Sequence, residues 1–101
     1  MLKELVYIKI HKQELGQVVA VCDEDLLGKT VQGKKIKINI SEGFYKGELK
    51  KIEEVLLILK RSNNFNIAGS KIIEECIQYG LISEDSVLYF GDIPISMKIL
   101  I

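Results

Sequence analysis

Apolar residues recur at every second position early in this chain and at every third or fourth position in its middle. From Leu5 to His11, Val6, Ile8 and Ile10 share one side while Tyr7, Lys9 and His11 share the other, the alternation of a half-buried strand. Residues 17–22 are more continuously apolar and predict a second, central strand, paired with the first as a hairpin across the turn at 12–16. A brief strand at 30–32 and a turn at Gly33-Lys34 follow. Lys35 to Ile40 then alternates without fault, with Ile36, Ile38 and Ile40 inward and Lys35, Lys37 and Asn39 outward.

From about Lys51 the period lengthens. Ile52, Val55, Leu56 and Leu59 fall at i, i+3, i+4 and i+7, one face of an amphipathic helix. Ser62 to Asn64 breaks it. A second helix carries Gly69, Ile72, Ile73, Cys76 and Ile77 on its inner side, and Gly80 fits the left-handed position that ends a helix, with Leu81 as the hydrophobic contact beyond. Ser86 to Phe90 reads as a strand and Gly91-Asp92 as a turn. Pro94 cannot donate to a ladder, so the apolar tail from Ile93 to Ile101 is expected as an edge strand or docked extension.

Strands come first, two helices follow, and strands close the chain. This segregation defines an α+β protein rather than a doubly wound one. The expected architecture is a two-layer sandwich: a mostly antiparallel sheet, two main helices on one face, and the opposite face in water. The 101 residues, 48% hydrophobic and 28% charged, suit one α+β domain over 1–101. Apolar runs fall short of the roughly 20 residues of a membrane span, and Met1 to Leu5 leads into a strand without a signal-peptide pattern. A cytoplasmic protein without membrane attachment is expected. Lysine, isoleucine and glutamate abound, a bias shared by thermophiles and AT-rich genomes.

Net charge is zero, but its distribution is uneven. Residues 1–51 hold ten lysines against seven acids, and residues 52–101 hold three lysines and one arginine against seven acids. The first half is therefore +3 and the second −3, which suggests a basic and an acidic face.

Two cysteines and one histidine are too few for a zinc site, which takes about four ligands. No metal site, cofactor or catalytic set is expected. Asp23 is a suitable N-cap for a helical turn through Leu27. Cys22 lies just before that turn, but Asp23 and Glu24 disfavour a thiolate. In the expected hairpin His11 lies near the turn and Cys22 at the far end, roughly 15 Å apart at about 3.3 Å per residue, so the two do not form a catalytic pair.

Two candidate sites follow. The first is the exposed sheet face with the 41–47 loop: Tyr7, Lys9, His11, Lys35, Lys37, Phe44 and Tyr45. Aromatics that stack bases beside lysines that meet phosphates are how open-sheet RNA modules work. The second is a pocket around Cys22, Asp23, Glu48 and the Phe44–Tyr45 loop, as in a small enzyme or ligand-binding protein. A scaffold role for the apolar tail, against a partner or a second copy, is a third reading.

The segments Val19-Ala20-Val21-Cys22-Asp23, Leu26-Leu27-Gly28-Lys29, Phe44-Tyr45-Lys46-Gly47-Glu48, Asn66-Ile67-Ala68-Gly69 and Gly80-Leu81-Ile82 resemble an archaeal family of small single-domain proteins. It is catalogued as a domain of unknown function, number four hundred and twenty-four. The resemblance spans essentially the whole chain, its specific part being the Cys-Asp and Phe-Tyr-x-Gly-Glu segments. It implies a two-layer α+β sandwich, an archaeal cytoplasmic source and an association with translation, and it brings no established activity. Where the family ends in a His-Ala-type polar segment after a Val-Pro pair, this chain has Ile93-Pro94 followed by Ile95-Ser96-Met97-Lys98-Ile99-Leu100-Ile101, so any role of that histidine is absent. The resulting expectation is a non-enzymatic module that binds RNA, the ribosome or a translation factor.

Overall fold

The computed structural model describes residues 4–14 and 16–100. Strands β1 (Leu5–Gln13) and β2 (Gly16–Asp23) form the expected hairpin, in a register that sets Tyr7 opposite Cys22 and His11 opposite Val18. There follow β3 (Thr30–Gln32), β4 (Lys37–Asn39), α1 (Glu42–Tyr45), β5 (Glu48–Lys51), α2 (Ile52–Lys60), β6 (Phe65–Ala68), α3 (Ser70–Gln78), β7 (Leu88–Phe90) and β8 (Ile93–Lys98). The main sheet has the order β5–β1–β2–β6–β8–β7, and β3 with β4 makes a separate two-stranded ribbon. Every pairing is antiparallel except β2 with β6. The protein is α+β, with a mostly antiparallel mixed sheet.

Helices α2 and α3 lie on one face, as the periodicity predicts. Ile52, Val55, Leu56 and Leu59 of α2 and Ile72, Ile73 and Cys76 of α3 pack with Val6, Ile8, Val19, Val21, Phe65 and Ile67 from alternate strand positions. The end of α3 also follows expectation: Leu81 N–H donates to the Cys76 carbonyl at 2.9 Å and Gly80 N–H to that of Ile77 at 3.0 Å, a Schellman motif.

The opposite face is not open to water. The chain between β2 and β5 folds back over it, and Leu26, Val31, Ile40 and Tyr45 bury Ala20, Cys22, Ala68 and Ile95, with Tyr7, Ile38, Phe44, Phe90 and Ile93 at the margin. The faultless alternation at 35–40 therefore belongs to the ribbon that covers the sheet. Only Lys37–Asn39 pairs as strand, and Ile36, expected inward, is 57% exposed.

Two short strands, β5 and β6, stand where the sequence predicts none, and they change the roles of their neighbours. Strand β6 lies between β2 and β8, while β8 pairs with β6 on one side and β7 on the other. The tail is thus an interior strand, against the expectation of an edge. Pro94 is accommodated because it lies opposite Tyr89 of β7, before the ladder with β6 begins at Ile95, where one neighbouring strand suffices.

Candidate functional site

Five of the seven expected surface residues come together, though not as an open platform. Helix α1 is a single turn whose N-terminus is capped by Ser41, its Oγ accepting from Phe44 N–H at 3.2 Å. Its last carbonyls have no helical partners, and side chains of β1 supply them. Lys9 Nζ donates to the Gly43 carbonyl at 2.8 Å and His11 Nε2 to the Phe44 carbonyl at 2.7 Å, and a cation at a helix C-terminus also suits the backbone dipole. The His11 ring stacks on Phe44 with centroids 4.8 Å apart, and Phe44 meets Tyr45 edge-on at 4.9 Å. Tyr45 is buried. Its hydroxyl donates to Asn66 Oδ1 at 2.6 Å, and burial, with the nearby Cys22 thiol, pushes its pKa up to about 12. Tyr7 is half-buried in the same layer. These groups tie α1 to the sheet. They are occupied by that contact, which corrects their reading as a free stacking surface.

Lys35 and Lys37 are not on that face. Both belong to the β3–β4 ribbon with Lys29 and Lys34, and all four are exposed. No carboxyl-bearing residue occurs between Asp25 and Glu42, and none of these four lysines makes an ion pair with a described residue. Salt bridges fall instead on Lys46, Lys50 and Lys71. The ribbon's turn, closed by Gly33 N–H to Ile36 carbonyl at 2.7 Å, stands against the β7–β8 turn. Between them opens a hollow of about 700 Å³ lined by Gln32, Gly33, Lys34, Lys35, Ile36, Tyr89, Phe90 and Gly91. A Cβ at Gly33 would approach Phe90 Cδ1 to 3.4 Å, and one at Gly91 would approach the Gln32 carbonyl to 3.2 Å, so small residues let the two turns close up. The sequence singles out Lys35, but gives no signal that Tyr89 and Phe90 join it, because more than fifty residues and three strands intervene.

Of the residues expected around the alternative pocket, Cys22 and Asp23 are buried and Glu48 is exposed. Cys22 is fully buried, and burial, then Asp23 and Asp25, pushes its thiol up to about 12. Glu48 starts β5 opposite Ile8 and its side chain is 78% exposed beside Lys50. Asp23 is 3% exposed. Its carboxylate does not cap the turn that follows it. It accepts instead from the backbone N–H groups of Lys71 at 2.9 Å and Ile72 at 3.0 Å, closing the N-terminus of α3 from the end of β2. Burial raises its pKa despite those two bonds. Cys76 is likewise buried, its thiol pushed up to about 12 by burial and then Glu75. Among the described residues no cluster of three or more His, Cys, Asp or Glu could hold a metal ion, and no helix is long and apolar enough to cross a membrane.

Among the described residues, a six-stranded mixed sheet with two helices on one face and a lysine-bearing ribbon on the other defines a small α+β protein with a surface hollow. The chain belongs to the family of proteins of unknown function designated DUF424, whose model matches residues 10–99. The solved structures include a similar chain, described as an uncharacterized conserved protein from Methanopyrus kandleri. It is 26% identical, with a TM-score of 0.75 over 92% of this chain and 89% of that one. No curated protein matches.

Proposed function

We propose that this protein is a non-enzymatic, cytoplasmic binding module of archaeal translation that contacts RNA through the β3–β4 ribbon. The observation that supports this reading is the group of four exposed lysines, Lys29, Lys34, Lys35 and Lys37, on a stretch without carboxylates and without ion pairs to described residues. Exposed lysines outside ion pairs attract phosphates, and each phosphate neutralised releases counterions. The translation setting rests on the family resemblance, and the archaeal source on that resemblance and the Methanopyrus relative.

The test is RNA binding, or binding to ribosomal particles, measured across a salt series. Affinity falls steeply with salt, and Lys35→Glu with Lys37→Glu weakens binding and flattens the salt slope by roughly two phosphates' worth. Binding that is indifferent to both the salt and the double charge reversal refutes this surface.

A further inference from the structure

We propose that the hollow between the β3–β4 turn and β7 receives an unpaired base of single-stranded RNA, with Tyr89 and Phe90 as its aromatic wall and Lys34 and Lys35 on the flanking phosphates. This rests on the RNA reading above and names the form of RNA that the site selects. Four features carry it. The hollow, at about 700 Å³, is of the size that encloses a small organic ligand, and a nucleobase fits within it. Tyr89, 68% exposed, is an aromatic ring left in water on a three-residue strand. Phe90 abuts Gly33 of the opposing turn. Both residues line the hollow, on the strand that forms one edge of the sheet.

The fourth feature is charge. Lys34 and Lys35 stand at the rim beside exposed Ile36. An apolar aromatic cleft with cations at its mouth matches a base attached to its phosphates: the π-face is sequence-tolerant and the lysines track the backbone. In a duplex the bases are stacked on each other and their faces are unavailable, so a site of this kind discriminates between strands and helices. An acidic peptide strand laid along β7 would use the same lysines without needing the rings, and is distinguished below.

The experiment uses the full chain and compares a short oligouridine with an RNA duplex of equal length by fluorescence anisotropy at one salt concentration. The expected result is tighter binding of the single strand. Tyr89→Ser with Phe90→Leu weakens that binding by roughly tenfold and leaves the duplex unaffected. Tyr89→Phe, which keeps the ring, retains affinity. Tyr89→Ala alone, at an exposed position, carries the test if the double variant does not fold. RNA binding with no strand preference, or a single-strand affinity unchanged by removal of the rings, overturns the base-binding hollow while the lysine reading stands. Binding of an acidic peptide that competes with the single strand and survives loss of both rings also overturns it. Failure to bind either RNA removes both.

Discussion

The carboxylate of Asp23 fills the space into which a side chain on Gly69 would project. Gly69 has φ of 121°, and a Cβ there would collide with Asp23 Cγ. The glycine is needed twice over, for a backbone conformation that L-residues rarely adopt and for the close approach of an anion to the first turn of α3. Gly69→Ala is therefore expected to destabilise the protein by more than about 2 kcal/mol, and Asp23→Ala by about 1–2 kcal/mol through loss of the cap. Because removing Asp23 relieves the collision, the double variant should cost less than the sum of the single ones. Urea unfolding of the four proteins measures the cycle, and strict additivity would show that the two residues do not meet.

The same carboxylate gives the protein a pH signature. Burial raises the Asp23 pKa in the folded state above its ordinary value near 3.8. Between those two pKa values the native state binds more protons than the unfolded chain, so this residue's contribution to stability falls as pH rises through the window and grows as pH drops towards 3.8. Relative to Asp23→Asn, which does not titrate, the native protein should gain stability on going from neutral pH to about 4.5. Denaturation midpoints of both proteins at the two pH values test this. A gap that moves the opposite way would mean that the two N–H bonds outweigh burial.

Thiol chemistry separates the binding module from the enzyme reading. Cys22 and Cys76 are both free and buried, with thiols held up at about 12. The thiolate is the reactive form, so native protein treated with iodoacetamide near pH 8 should remain unlabelled, and both cysteines should react once denaturant is added. Rapid native labelling of Cys22 would reopen the case for a reactive site at the end of β2.

The tether of α1 predicts a graded effect. Tyr45→Phe removes one bond to Asn66 and should cost about 1 kcal/mol. His11→Ala removes both the stack on Phe44 and the donor to its carbonyl, and should cost about 1–2 kcal/mol. Thermal melts report the losses. Amide exchange at residues 42–46 should quicken in His11→Ala, because α1 would open without the rest of the sheet.

The sequence pattern predicts elements that repeat and misses those that do not. Three alternations marked β1, two helical turns marked α2, and Gly80-Leu81 marked the end of α3, each a signal contained within a few residues. Strands β5 and β6 are four residues each, too short to show a period. The lysine-isoleucine alternation at 35–40 looks the same whether it lies in the main sheet or in a ribbon above it, because alternation records that one side is buried and not against what. That ambiguity misplaced Lys35 and Lys37 beside Tyr7 and Lys9. The Asp23 cap was misassigned for a related reason: its true partners lie 48 and 49 residues away, beyond any local rule. Tyr89 and Phe90 reach the lysine ribbon only through the strand order, which no single segment encodes.

Strand β6 lies enclosed between β2 and β8. A parallel ladder joins residues 19–22 to 65–68, and its other flank is filled from residues 95–98. A chain emerging from the ribosome can zip its first hairpin early, but its centre stays unsealed until residues 95–98 are made. Strand β8 acts as a keystone, and truncation before it should leave a soft, protease-sensitive polypeptide rather than a smaller stable one.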